Sequence, residues 1–210
     1  MSQLLIVRMF EIVQIESAPS DVNRRFDMSL KSLQGSLLLD GGNLRGSFFH
    51  RSVVLICRHD DDGAFGLILN RSSGTKASDA MANVPDWLKN QSLFIGGPVQ
   101  PQVLSYLHSD SFVENANVVM NLNLGHSLDE LVDLSQSYSP TRKLKLFAGY
   151  AGWDAGQLDR EMARNDWLSH PASLDLVFSD EPDQLWKVIL RQKGIQARLL
   201  AETPEDPSWN

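Results

Sequence analysis

The chain predicts a single-domain protein of the α/β (α+β) class, and three observations carry that prediction. Short runs rich in Leu, Ile and Val, of strand length, are bounded by Asp, Gly, Ser and Asn. Stretches with helical spacing and capping residues lie between and after those runs. The composition is that of an ordinary globular chain: 210 residues, 42% hydrophobic and 21% charged, with 14 glycines.

Taken in order, residues 1–32 read as an extension, with an apolar stretch from Leu4 to Ile15 followed by a polar one through Asp27. Arg8, Glu11 and Gln14 recur every third residue, which predicts a short helix, although alternation through Val7, Met9, Glu11 and Val13 permits a strand. The start lacks the positive n-region of a signal peptide. Two expectations follow: translation from Met28, or docking of Ile6, Phe10 and Val13 on the fold or on a partner.

From Gly35 onward strands are predicted at Ser36–Leu39, Val53–Arg58 and Phe65–Asn70, the last two joined by an Asp60-Asp61-Asp62-Gly63 turn. Further strands are predicted at Leu93–Ile95, Leu104–His108, Val118–Leu122, Lys143–Tyr150 and Leu174–Phe178. Ser127-Leu-Asp-Glu130 is a capping box that opens a helix carrying Leu128, Leu131 and Leu134. Gly156–Asn165 and Asp183–Lys193 are the other predicted helices, the latter closed by Gly194. Ala201–Asn210, with two prolines and three acids, reads as a disordered acidic tail.

The net charge of −7 argues against direct nucleic-acid binding, since phosphate recognition needs a concentrated basic face. The two local basic clusters, Arg142/Lys143/Lys145 and Lys187/Arg191/Lys193/Arg198, read as solvated faces. No apolar run is long enough to span a bilayer, so no membrane partner is expected. A lone cysteine, Cys57, fits a reducing cytoplasm.

No serine-nucleophile motif, metal-ligand spacing or nucleotide fingerprint stands in the sequence, so no catalytic residue, metal or cofactor is assigned. The candidate ligand-binding residues are Asn70, Arg71, Gly97, Gly149, Gly152, Trp153 and Gly156. Asn70-Arg71 places a guanidinium at a strand end, where it would hold a carboxylate or phosphate, or else pair with a neighbouring acid while Asn70 caps a turn. Gly149, Gly152 and Gly156 lie where a phosphate cradle forms, but Asp154 opposes an anion there. The favoured alternative has these glycines allowing sharp turns and close approach of strand to helix, with Tyr150 and Trp153 over them, and Gly96-Gly97-Pro98 as a turn ending a strand. Trp153 and Trp167 are expected in the core. Cys57 and His59 share a strand face but stand too far apart for a nucleophile pair. On the helix after Gly156, Asp159, Arg160, Glu161 and Arg164 form a polar surface and Leu158 and Met162 face inward.

Three segments carry a family resemblance. They are Ser52-Val-Val-Leu-Ile-Cys-Arg-His59 with Gly63-Ala-Phe-Gly-Leu-Ile-Leu-Asn-Arg71; Phe94-Ile-Gly-Gly-Pro-Val99; and Phe147-Ala-Gly-Tyr-Ala-Gly-Trp-Asp-Ala-Gly-Gln-Leu158, running on through Glu161 to Trp167-Leu168. In this order and spacing the chain resembles the AlgH/YqgE family from about Leu33 to Ile195. The resemblance implies a mixed, forked β-sheet curled into a partial barrel with helices packed outside, over a domain of residues 33–200. The chain departs from the family pattern at Leu39-Asp40-Gly41-Gly42, where an Ala-Met-Pro turn is usual, at Gly46-Ser47, where Asp-Pro is usual, and at Ser72, where proline is usual. For function the resemblance implies a regulatory label more than a chemistry. The expectation is therefore a non-enzymatic cytoplasmic binding or regulatory protein with an unknown protein or small-molecule partner. The alternative is an enzyme or small-molecule sensor with a groove near Asn70-Arg71 and the Gly149–Gly156 turn.

Overall fold

The computed structural model describes residues 32–81, 84–109, 117–136 and 143–204. The extension before Ser32, Arg142 and the acidic residues after Pro204 lie outside these ranges, and so do the expectations placed on them. The strands are β1 (Ser36–Asp40), β2 (Val53–Asp60), β3 (Gly63–Ile68), β4 (Ser72–Lys76), β5 (Ser92–Ile95), β6 (Val99–His108), β7 (Asn123–Gly125), β8 (Leu144–Asp154) and β9 (Trp167–Pro171). The helices are α1 (Ala77–Ala80), α2 (Leu128–Gln136), α3 (Gln157–Ala163), α4 (Leu174–Val177), α5 (Leu185–Arg191) and α6 (Ile195–Glu202). None is long and apolar enough to cross a membrane.

The nine strands form one mixed sheet in the order β4-β5-β8-β3-β2-β1-β9, with β6 and β7 branching from β8. It does not close into a barrel, because its end strands β4 and β9 do not pair among the described residues. β2 shows why its sequence is a continuous apolar run: Val53, Leu55 and Cys57 enter one cluster with α5 and α6, while Val54 and Ile56 enter a second with Trp153, Trp167 and Leu158 of α3. Both faces of this part of the sheet are covered, so alternation with polar residues has no place there.

The fork is made at β8. β5 runs parallel beside Leu146–Ala148, and β6 runs antiparallel beside Leu144–Ala148. A strand has two edges, so β5 and β6 occupy opposite ones, and Gly96-Gly97-Pro98 between them crosses the backbone of β8. A Cβ on Gly96 would land on the Gly149 carbonyl oxygen, and one on Gly97 on the Tyr150 carbonyl. Gly149 itself has φ +68° and would bring a Cβ within 2.7 Å of the Gly97 carbonyl oxygen. The glycines thus permit backbone to lie on backbone, strand over strand. This differs from the strand-to-helix approach expected of Gly149 and from the simple turn expected of Gly97.

Gly149 also reverses the parity of β8. Leu146 and Ala148 face the cluster with Tyr106, whereas Phe147 and Tyr150 face the cluster with Leu55 and Phe94. One residue has been added to the alternation, as in a bulge. Beyond it β3 takes the edge that β5 has left: the Ile68 N–H donates to the Gly96 carbonyl at 2.8 Å, and Gly63–Gly66 pair with Ala151–Asp154.

Several expected elements change. Leu174–Phe178 is the helix α4 and not a strand, because the Ser173 side chain caps it by accepting the Leu176 N–H. Val118–Leu122 is a tight turn, with Asn121 at φ +60° and the Val118 N–H donating to the Leu122 carbonyl, and strand begins only at Asn123. Ala201 and Glu202 belong to α6, where Ala201 is fully buried, so the chain is ordered past the expected start of the tail. β4 and β9 escape the apolar pattern because both are edge strands: β4 is polar and mostly exposed, and in β9 only Trp167 and Leu168 are apolar residues packed on the core. The capping expectation holds for α2: Ser127 Oγ accepts the Glu130 N–H.

The crossing predicts a sharp contrast between neighbouring glycines. Gly97→Ala should cost about 3 kcal/mol or more, since backbone cannot retreat from backbone. Gly152→Ala, whose Cβ would meet side chains alone, the Tyr150 ring at 3.3 Å and Val99 at 3.9 Å, should cost less than about 1 kcal/mol. Urea unfolding of the two variants measures the difference.

Candidate functional site

A groove of about 380 Å³ opens where β3 pairs with the outer half of β8. Phe65 of β3 stands opposite Gly152 of β8, and its ring lies 4.9 Å from that of Tyr150, which leans over Gly152. Val99, the first residue of β6 and the register partner of Tyr150, closes one end. Arg58, Asp62 and Asp154 supply the charged rim. The Asp60–Gly63 turn forms as expected, with Asp60 paired to Gly63 and the Asp62 N–H donating to Asp60 Oδ1. Arg58 is held by Asp60 through a hydrogen bond that lowers the Asp60 pKa and raises that of Arg58.

A bulge between Ile56 and Arg58 decides the relation of Cys57 to His59. Cys57 enters the main core, where burial pushes its thiol pKa up, whereas His59 pairs with Ala64 on the other side and reaches Leu33 and Asp159. The two side chains therefore do not share a face, contrary to the unbroken alternation read from the sequence.

The predicted site residues separate into three places. Gly152 and Trp153 line the groove, and Gly156 follows at the start of α3 with φ +66°. Gly97 and Gly149 form the backbone crossing. Asn70 and Arg71 lie at the far end of β3, six residues beyond Phe65, or about 20 Å of extended chain. There Asn70 ties two segments, accepting the Val53 N–H and donating to the Arg51 carbonyl. Arg71 donates to the Phe48 and His50 carbonyls and lies 4.6 Å over the Phe48 ring. Its ion-pairing acid, expected as one alternative, is absent among the described residues. Burial lowers the Arg71 pKa.

Three polar residues escaped the sequence reading. Glu161 lies on the polar face of its helix by spacing, yet its Oε2 accepts both the Trp153 and Trp167 indole N–H groups at 2.8 Å, while Oε1 accepts from Gln157. Phe49 packs against both indoles, so Glu161 closes an aromatic cluster. The Trp-Asp-Ala-Gly-Gln-Leu-Asp-Arg-Glu spacing was visible, but the convergence of the two tryptophans was not. Asp40 is fully buried and accepts the Gly42, Leu44 and Arg51 N–H groups, with His50 Nδ1 at 3.3 Å. It organises the loop between β1 and β2 through backbone donors at residues 42, 44 and 51. Lys145, placed in a solvated basic cluster by its sequence, is only 4% exposed. Its Nζ lies 4.1 Å from the Phe94 ring centroid and donates to the Val177 carbonyl. Among the described residues no group of three or more His, Cys, Asp or Glu is placed to hold a metal ion.

A mixed, open sheet forked by glycine crossings at a central strand, with a ring-walled groove at the mouth of the fork, defines the chain as a single-domain α+β protein. The AlgH-like family model matches residues 37–198, and the chain belongs to that family. It is 38% identical over 177 residues to a UPF0301 protein of Chlamydia caviae, covering 82% of this chain and 93% of that one. It is 34% identical over 179 residues to a UPF0301 protein of Chlorobium limicola, covering 84% and 95%. The solution structure of the AlgH protein from Pseudomonas aeruginosa matches with a TM-score of 0.66 at 26% identity, over 86% of this chain and 98% of that one. A crystal structure of a protein from Corynebacterium diphtheriae gives 0.68 at 25% identity, over 80% and 91%.

Two stability measurements follow. Glu161→Ala should cost about 2–4 kcal/mol by leaving two buried indole donors unpaired, and Glu161→Gln distinctly less, since the amide oxygen still accepts. Trp153→Ala or Trp167→Ala should each cost about 3–5 kcal/mol. Chemical unfolding followed by tryptophan fluorescence reads the two Glu161 variants, and calorimetry the tryptophan variants.

Burial pulls the Lys145 pKa down from 10.5 to about 8. Between these values the unfolded chain holds a proton the folded one has lost, so this residue makes stability rise with pH there and weighs against folding by about 3 kcal/mol below pH 8. Lys145→Met should therefore be more stable at pH 7 by about 1–3 kcal/mol, with the advantage shrinking from pH 8 to 10. Cys57 and Tyr106, both raised by burial, act in the opposite direction at high pH but are common to the two proteins. Thermal unfolding of both proteins across this range gives the difference; an advantage independent of pH would count against it.

Proposed function

We propose that this chain works by binding, as a cytoplasmic non-enzymatic or regulatory protein, and that the groove at the fork is its binding surface. One observation carries the reading: two aromatic rings and Val99 form an apolar floor beneath a charged rim, next to the glycine crossing. The volume of about 380 Å³ falls in the range of small-ligand or side-chain pockets. Reading Cys57 as a buried, inert thiol agrees with a reducing compartment. Direct DNA binding does not belong to this function, since the chain carries a net charge of −7 and the groove rim holds more acid than base.

A second reading, an enzyme or small-molecule sensor, draws on Arg71, whose guanidinium faces carbonyls and a ring and is free of carboxylates among the described residues. That arrangement supports an anion site at residues 48–51 and 71, apart from the groove.

A thermal-shift screen of nucleotides, sugar phosphates, organic acids and short peptides separates the two. A groove ligand at 100 times its Kd should add about 2.7 kcal/mol to the wild-type protein and little to Tyr150→Ala. Stabilisation lost in Arg71→Lys but kept in Tyr150→Ala would move the function to the second site. Silence across the whole screen would count against both.

A further inference from the structure

The groove adjoins a strand edge that the fold leaves vacant. β6 occupies one edge of β8 only as far as Val99 opposite Tyr150, because the preceding residues, Gly97 and Pro98, have crossed over β8. Beyond Tyr150 no strand takes that edge among the described residues, while β3 holds the opposite one. Peptide groups along a strand point alternately to its two edges. The Ala148 carbonyl points to the β5 side, where it accepts the Gly96 N–H. With one residue added at Gly149, Tyr150, Gly152 and Asp154 direct their peptide groups to the other side. Asp154 agrees with this: its N–H turns to the Gln157 side chain. The Gly152 N–H and C=O thus face the open edge, beside the Phe65 and Tyr150 rings.

Resting on the reading of the groove as the binding surface, we infer that this edge takes an extended peptide of a partner protein, added as a strand in line with β6, whose residues on the groove face, two apart along the peptide, are apolar beside Gly152 and basic beside Asp154. Strand addition supplies main-chain hydrogen bonds, and neighbouring pockets supply specificity. Here the ring-walled groove receives the apolar side chains. Charge selects the basic ones. Asp62 and Asp154 stand on the rim, and Asp60 and Asp61 occupy the same hairpin turn, whereas the rim's one arginine, Arg58, is already ion-paired to Asp60 and Asp62. Asp154 has no cationic partner among the described residues. Gly152 keeps the approach open, since a larger side chain would compete with the Tyr150 ring for the same space.

The probe is a blocked peptide in which Tyr or Val and Lys stand two residues apart with Thr between them, titrated into the isotopically labelled full-length chain and followed by amide chemical shifts. Saturable shifts at Gly152 and its β8 neighbours are expected. Two versions of the peptide carry N-methyl groups on opposite alternate amides; only one set faces β8, so the two should differ in Kd by at least about tenfold. Replacing Lys with Glu should weaken binding by a similar factor, and Asp62→Lys with Asp154→Lys should reverse that preference. Equal binding of the two methylated peptides, with shifts still in the groove, overturns strand addition while the groove remains a binding surface. Shifts centred elsewhere, or none at millimolar peptide, overturn the inference. If small molecules are equally silent in the groove, the binding reading falls with it.

Discussion

The passage of Gly96-Gly97-Pro98 over β8 is the contact on which the rest of the molecule depends. Backbone lies directly on backbone at Gly149 and Tyr150, at a separation that no side chain at Gly96 or Gly97 allows. Because β5 and β6 are joined by so few residues, their assignment to opposite edges of β8 is possible only through this crossing. The parity change at Gly149 then hands one edge of β8 from β5 to β3, and so separates the cluster around Tyr106 from the cluster around the two tryptophans. A single local constraint therefore sets the strand order, the division of the core and the position of the groove.

Two carboxylates hold the segments that this scaffold cannot hold by apolar packing alone. Asp40 ends β1 inside the protein and gathers backbone donors from residues 42–51, turning an irregular loop into a fixed one. Glu161 does the same for aromatic donors, binding the end of β8 to the start of β9 through α3. Asp40 is fully buried and Glu161 half-buried, and each accepts several hydrogen bonds in place of water. Lys145 has fewer partners, one carbonyl and one ring, and burial lowers its pKa.

The same crossing explains why the groove is open. A chain that stayed on its edge would have continued β6 beside Gly152 and Asp154, and the aromatic floor would have been covered. Among the described residues no strand takes that edge beyond Tyr150, and the topology leaves an apolar floor and an acidic rim beside it.

Much of the strand pattern was legible in the residues themselves. Val53–Arg58 and Leu144–Phe147 are dense in branched apolar residues, and the Asp60–Gly63 turn and the Ser127 cap are local chemistry that needs no tertiary partner. The apolar character of Trp153 and Trp167 was equally evident, and the spacing of the glycine-rich segments sufficed for the family. What the sequence could not determine was everything fixed by contacts distant along the chain. Val118–Leu122 and Leu174–Phe178 are the exceptions, since what overrides their strand-like composition is itself local: a positive φ at Asn121 and a cap at Ser173. Lys145 and Glu161 look like surface charges until Phe94, Val177 and two indoles converge on them. Cys57 and His59 share a face by counting, and one bulge parts them. Gly97 and Gly149 announce close approach, but what approaches them is set by strand order. Local periodicity reports which side of an element is apolar; only the folded topology decides which elements meet there.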